Sequence, residues 1–180
     1  MLIREAKVQD APAFVALFDR VNSETTFMLF EPGESPTSVE HQSRTFEHWA
    51  KTDSGVMFVC EEDKELIGFV AGRRGVGRRQ AHSIYIAMGV LQAWVGRGIG
   101  RSLLEALEGW AQSKGLHRLE LMVNYNNERA IRLYEKFGFE REGVKRHALR
   151  IDGHYIDAFY MAKLIGANSK LHRTRRKRRR

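Results

Sequence analysis

Val95 to Leu107 reads VGRGIGRSLLEAL, a glycine-rich turn that runs without a break into an amphipathic helix. Gly96, Gly98 and Gly100 admit backbone conformations that a side chain forbids, so successive amides can converge on one point. Ile99, Leu103, Leu107 and Trp110 fall on one face of the helix, whose N-terminus carries unpaired N–H groups and partial positive charge. Phosphate is the group this arrangement holds best, and Arg97 and Arg101 add charge beside it. A Walker loop is excluded, because Gly100 is followed by Arg101 and Ser102 with no earlier glycine at the required spacing. A dinucleotide fingerprint is excluded too, since position 103 is leucine where a third glycine belongs and most of the strands precede this turn.

The six residues VGRGIG resemble the acyl-coenzyme A pyrophosphate loop of the GCN5-related N-acetyltransferase family, [Arg/Gln]xxGx[Gly/Ala] before a helix. Val95 departs from that pattern, so the contact its first side chain makes is lost. A second stretch, Asn127 to Phe139, reads NERAIRLYEKFGF and matches the family's NxxAxxLYxKxGF at every named position. The resemblance spans residues 2 to 165. It implies acetyl-coenzyme A as cosubstrate, with Val95, Gly96, Arg97, Gly98, Ile99, Gly100 and Arg101 at its pyrophosphate and Asn127 on its pantetheine or phosphate arm. Backbone groups of Met88, Gly89 and Val90 would meet the pantetheine amides, with Gly89 suited to close approach.

Tyr134 would stand beside the sulfur. Transfer of acetyl from sulfur to an amine needs a neutral amine, a polarised thioester carbonyl and a proton for the departing thiolate, and a phenol can give that proton. A tyrosine on the inner face of a helix is otherwise a core aromatic. Direct transfer with no metal and no covalent enzyme intermediate is the implied mechanism.

No base is assigned. Relatives that acetylate a ribosomal protein's N-terminus carry glutamate where this chain has Met122. Glu120, His82, Tyr85 and an ordered water are the alternatives. The ending EGVKRHALRIDGHYIDAFYMAKL is similar to the phosphinothricin and amino-acid N-acetyltransferases, which implies a small primary amine as acceptor, although phosphinothricin enzymes often have histidine at the place of Tyr134. Glu24 and Glu31 could pair with the acceptor's ammonium group. Acetylation of a protein N-terminus, a lysine or a polyamine is the rival enzymatic reading. Non-enzymatic binding of acyl-coenzyme A, or association with RNA, is the rival outside catalysis. Family members often dimerise, which extends to this chain by resemblance alone.

The net charge of +8 suggests nucleic acid until its position is considered. Eight Lys or Arg lie between Lys170 and Arg180, which leaves 22 basic and 22 acidic residues elsewhere. The body is formally neutral. The expected organisation is one domain over 1–166 and a basic, disordered tail over 167–180 that would give at most weak, salt-sensitive contact with nucleic acid. No apolar run is long enough to cross a bilayer, and Arg4, Glu5, Lys7 and Asp10 stand where a secretion signal would be apolar. A cytoplasmic chain with no membrane partner is expected. Cys60, the one cysteine, lies in the apolar run VMFVC and reads as a core thiol.

Around the two motifs the periodicity predicts a strand at Leu2 to Ala6 and a helix capped by Asp10, with Phe14, Leu17, Phe18 and Val21 inward. A loop follows over a pocket, then a helix from Ser38 to about Lys51 whose His41 and His48 are surface residues. Val56 to Glu61 and Leu66 to Gly72 form a hairpin, and His82 to Val90 a central strand leading into the phosphate loop. Arg118 to Val123 is a strand, Asn127 begins a helix stopped by Gly138, and Phe139 to Leu149 and Tyr155 to Leu164 close the chain as a hairpin turned by Asp152 and Gly153. The predicted fold class is a mixed α/β sheet, mostly antiparallel and flanked by helices.

Overall fold

A computed structural model describes residues 1–35 and 37–166. The expected tail, including Lys170 to Arg180, lies outside the described residues. The elements follow in the predicted order: β1 (Leu2–Glu5), α1 (Ala11–Glu24), α2 (Val39–Thr52), β2 (Gly55–Glu62), β3 (Glu65–Arg74), β4 (Ser83–Val90), α3 (Ile99–Ser113), β5 (Arg118–Asn124), α4 (Glu128–Phe137), β6 (Glu140–Ile151) and β7 (His154–Leu164). The strands form a seven-stranded sheet in the order β1-β2-β3-β4-β5-β7-β6. Every neighbouring pair is antiparallel except β4 and β5.

The turns explain the registers. Asp63 and Lys64 both take positive φ and close the β2–β3 hairpin in two residues, and Asp152 and Gly153 do the same between β6 and β7. Helices α1 and α2 cover one face of the sheet, where Phe14 and Phe18 pack on Phe69 at ring separations of 5.2 and 5.8 Å. Helix α3 covers the other with Ile99, Leu103, Leu104, Leu107 and Ala111, all buried. Gly72 makes that packing possible: a Cβ there would stand 2.9 Å from Leu107 Cδ1 and 2.4 Å from Ile84 Cδ1.

Asp10 differs from its expected role. It occupies the N-cap of α1 but makes no side-chain bond into the helix. Its carboxylate instead accepts two bonds from the Arg4 guanidinium, at 2.7 and 2.9 Å, and one from the Lys7 amide at 2.7 Å. Arg4 holds the Asp10 carboxyl below the usual carboxylate range, and Arg4 also reaches Glu61, so the cluster staples β1 and the start of α1 to β2. Helix α1 also runs further than expected, through Glu24, which takes that residue out of the loop.

Candidate active site

The two central strands separate. Strands β4 and β5 are registered only at Ser83 with Arg118, Ile84 with Leu119 and Tyr85 with Glu120. Beyond Tyr85, β4 stays zipped to β3 as far as Val90, and β5 stays zipped to β7 as far as Asn124. A gap therefore opens between the strands, and the edge of β4 facing it has no strand partner over residues 86–90. Backbone N–H and C=O groups on such an edge seek hydrogen bonds, which suits a ligand carrying amides.

The loop after α1 crosses the open end of this gap. At one side the Gln92 amide donates to Glu24 Oε2 at 2.6 Å, and at the other Asn124 Nδ2 donates to the Phe27 carbonyl at 3.4 Å. Glu24 thus fixes the end of α1 to the chain leaving β4. Glu31 lies exposed further along, where its amide donates to Glu34 Oε2 at 3.0 Å.

The glycine loop follows β4 after one 3-10 turn, Gln92–Trp94. Gly96 and Gly98 have φ of +88° and +83°, and Gly98 caps α3 without a side-chain bond, so the first amides of the helix are left to another acceptor. Among the described residues nothing beyond its chain neighbours lies within 4 Å of a Cβ built on Gly98, which leaves room there for a phosphate. Gly100 serves packing instead, since a Cβ there would be 2.9 Å from Leu133 Cδ2 of α4. Arg97 lies over the Trp94 ring, 4.6 Å from its centroid, and Arg101 pairs with Glu105 at 2.8 Å. Met88 packs near Gly100, its Cε 3.6 Å from where a Cβ would be.

Gly89 is also required by the core. A Cβ there would stand 2.8 Å from Phe69 Cε1 and 2.9 Å from Val21 Cγ1, so the close approach it permits is to the protein's own core. Asn127 caps α4, its Oδ1 accepting the Ala130 amide at 3.2 Å. The cap uses the oxygen of that side chain and not its NH₂ donors.

Tyr134 is 7% exposed and packs on Phe139 with ring centroids 5.6 Å apart. Burial, and then proximity to Tyr85, push its pKa well above that of a free phenol, so it stays protonated at neutral pH. Tyr85 stands where the strands part. Its own pKa is raised by burial and by the nearby Tyr160 and Glu120, against the Met122 amide, which lowers it. Glu120 is paired: Arg118 Nε donates to it at 2.6 Å, and the same guanidinium holds Glu142 at 2.9 and 2.5 Å. His82 is exposed just before β4, at the zipped end, and its carbonyl accepts the amides of His117 and Arg118 at 2.8 and 3.1 Å.

A glycine loop at a helix N-terminus, beside a splayed strand pair and a buried tyrosine, agrees with one family model. The model described as the Acetyltransferase (GNAT) family matches residues 20–139. This chain belongs to that family. It is an N-acetyltransferase, and acetyl-coenzyme A is its donor. An acetyltransferase of the GNAT family from Streptococcus pneumoniae superposes with a TM-score of 0.88 at 31% identity, covering 92% of this chain and 99% of that one. An L-methionine sulfoximine/L-methionine sulfone acetyltransferase of Pseudomonas paraeruginosa is 25% identical over 167 residues, 88% of this chain and 91% of the relative. The L-amino acid N-acetyltransferase AaaT of Escherichia coli is 37% identical over 91 residues, so this chain matches about half of it, 54%, with 48% of its own length. No helix among the described residues is long and apolar enough to cross a membrane.

Proposed function

We propose that this acetyltransferase moves acetyl directly from acetyl-coenzyme A to the primary amine of a small molecule, an amino acid or close relative, with Tyr134 as the acid that protonates the leaving thiolate. The observation that carries the reading is a phenol held protonated and buried on α4, next in sequence to Leu133, which packs on Gly100 at the uncapped N-terminus of α3. Relatives acting on L-amino acids and on L-methionine sulfoximine support the choice of acceptor.

The bound donor supplies an activated acetyl thioester. Amides of Gly96 to Gly100 hold its pyrophosphate, and the free edge of β4 at Met88 to Val90 offers partners to the pantetheine amides. Asn127 keeps its NH₂ donors for that arm while its oxygen caps α4. The acceptor nitrogen attacks the carbonyl carbon, the C–S bond breaks, the sulfur takes the phenol proton from Tyr134, and the nitrogen gives up its own proton. Burial makes a lone phenolate costly, so donation by Tyr134 is concerted with return of a proton from the nitrogen side. Glu31, exposed in the crossing loop, is free to face an ammonium group, whereas Glu24 acts by holding that loop to Gln92.

The test is release of free thiol from acetyl-coenzyme A across amino acids, polyamines, aminoglycosides and an N-terminal peptide. Turnover confined to amino acids and their analogues is expected. Turnover with the peptide or polyamines alone would replace the acceptor class, and none with any amine, despite tight donor binding, would favour a non-enzymatic role.

A further inference from the structure

Of the arginines that the loop's own sequence offers for phosphate, Arg97 is stacked on Trp94 and Arg101 is tied to Glu105. The first position of the loop, which carries Arg or Gln in the family's pattern, is Val95. Yet one guanidinium does reach the loop. Arg129 Nη2 lies 3.9 Å from where a Cβ on Gly96 would stand, and among the described residues, adjacent ones aside, nothing else comes within 4 Å of such a Cβ at Gly96 or Gly98. Arg129 is in the first turn of α4, on the exposed side of that helix, and pairs with no carboxylate among the described residues. Arg132, one turn on, pairs with Glu128 at 2.8 Å. The two helices are locked together beneath Arg129 by Leu133 against Gly100, which holds its distance from the loop.

We infer that Arg129 supplies, from α4, the charged contact to the donor's pyrophosphate that Val95 withholds from the loop. The inference rests on the donor reading above. A guanidinium presents paired N–H donors that match two phosphate oxygens at once, and here it is left without a competing carboxylate. It stands at Gly96, two residues before the N-cap of α3, so backbone dipoles and a full charge can act on one anion.

The test is binding of coenzyme A, dephospho-coenzyme A and pantetheine to wild type, Arg129→Ala, Arg132→Ala and the double variant Val95→Arg/Arg129→Ala. Calorimetry serves for the two nucleotides and ligand-observed NMR for pantetheine. Arg129→Ala is expected to weaken both nucleotides alike, by about tenfold to a hundredfold, and to leave pantetheine unchanged. Arg132→Ala should bind as wild type, and Val95→Arg should recover most of the loss. Unchanged nucleotide binding by Arg129→Ala would overturn the inference. So would a loss confined to coenzyme A, which would put Arg129 on the 3′-phosphate, or an equal loss for pantetheine, which would make its role structural. Wild type that binds neither nucleotide would overturn the donor reading itself.

Discussion

Helices α3 and α4 lie side by side and both begin at the site, but they are built on different terms. Along α3, Ile99, Leu103, Leu104, Leu107 and Ala111 are each no more than 1% exposed. Along α4 only Ile131 and Tyr134 are buried, and the rest of the helix is largely charged. The N-caps differ too: Gly98 gives α3 no side-chain bond, whereas Asn127 closes the start of α4 on itself. The deep helix is fixed by packing, so its open N-terminus can bind an anion without the loop shifting. The shallow helix contributes side chains, with Tyr134 inward and Arg129 outward. On the proposed reading α3 gives the donor backbone dipoles from a fixed end, while α4 gives side chains to donor and chemistry alike, and the two helices join where Leu133 meets Gly100.

The division can be broken from the α4 side first. Tyr134→Phe keeps the ring that packs on Phe139 and removes the proton, so kcat should fall by roughly a hundredfold to ten-thousandfold, measured as thiol release at saturating donor and acceptor. From the α3 side, Leu103→Ala empties a fully buried site and should cost about 2–5 kcal/mol in urea unfolding, enough to release the loop along with the helix. Gly98→Ala separates the loop from the core: a side chain at φ +83° carries strain of about 1–2 kcal/mol, and donor affinity should drop about tenfold while kcat at saturation holds.

The smallest effect is electrostatic. Tyr134 titrates well above a free phenol, so both folded and unfolded chains keep its proton below about pH 10 and stability there is indifferent to it. Above that, the unfolded chain ionises while the folded one cannot, and stability falls by up to about 1.4 kcal/mol per pH unit. Urea unfolding between pH 9 and 11.5 should therefore show a steeper alkaline loss for wild type than for Tyr134→Phe. Parallel profiles would mean the phenol is not held in its neutral form.

Much of this was legible from residue types because each signal was local. Period-two runs, the Asp152–Gly153 turn and the glycine loop all announce themselves within a few positions, and so the element order follows. What stayed hidden depended on partners distant in sequence. Nothing in HSIYIAMGV marks Tyr85 as the last residue zipped to β5, because separation is a property of two strands. Glu24 reads as a loop carboxylate until Gln92 is beside it, and Asp10 reads as a cap until Arg4 takes both its oxygens. That Gly89 is also demanded by Phe69 and Val21 shows only once the core is assembled. In sequence Arg129 is one more charged residue on a helix. Its spacing from the loop exists only once α3 and α4 are packed, although the missing side chain at Val95 was a hint that charge must come from elsewhere.

The most direct test places affinity and rate side by side in one variant. Coenzyme A would be titrated into wild type and Tyr134→Phe, and single-turnover transfer to an accepted amine followed with both. A duty for Tyr134 in the chemistry alone predicts the same donor affinity within about twofold, with transfer slowed by at least about a hundredfold. Affinity and rate falling together would make Tyr134 part of the donor's binding wall, and an unchanged rate would remove it from the chemistry.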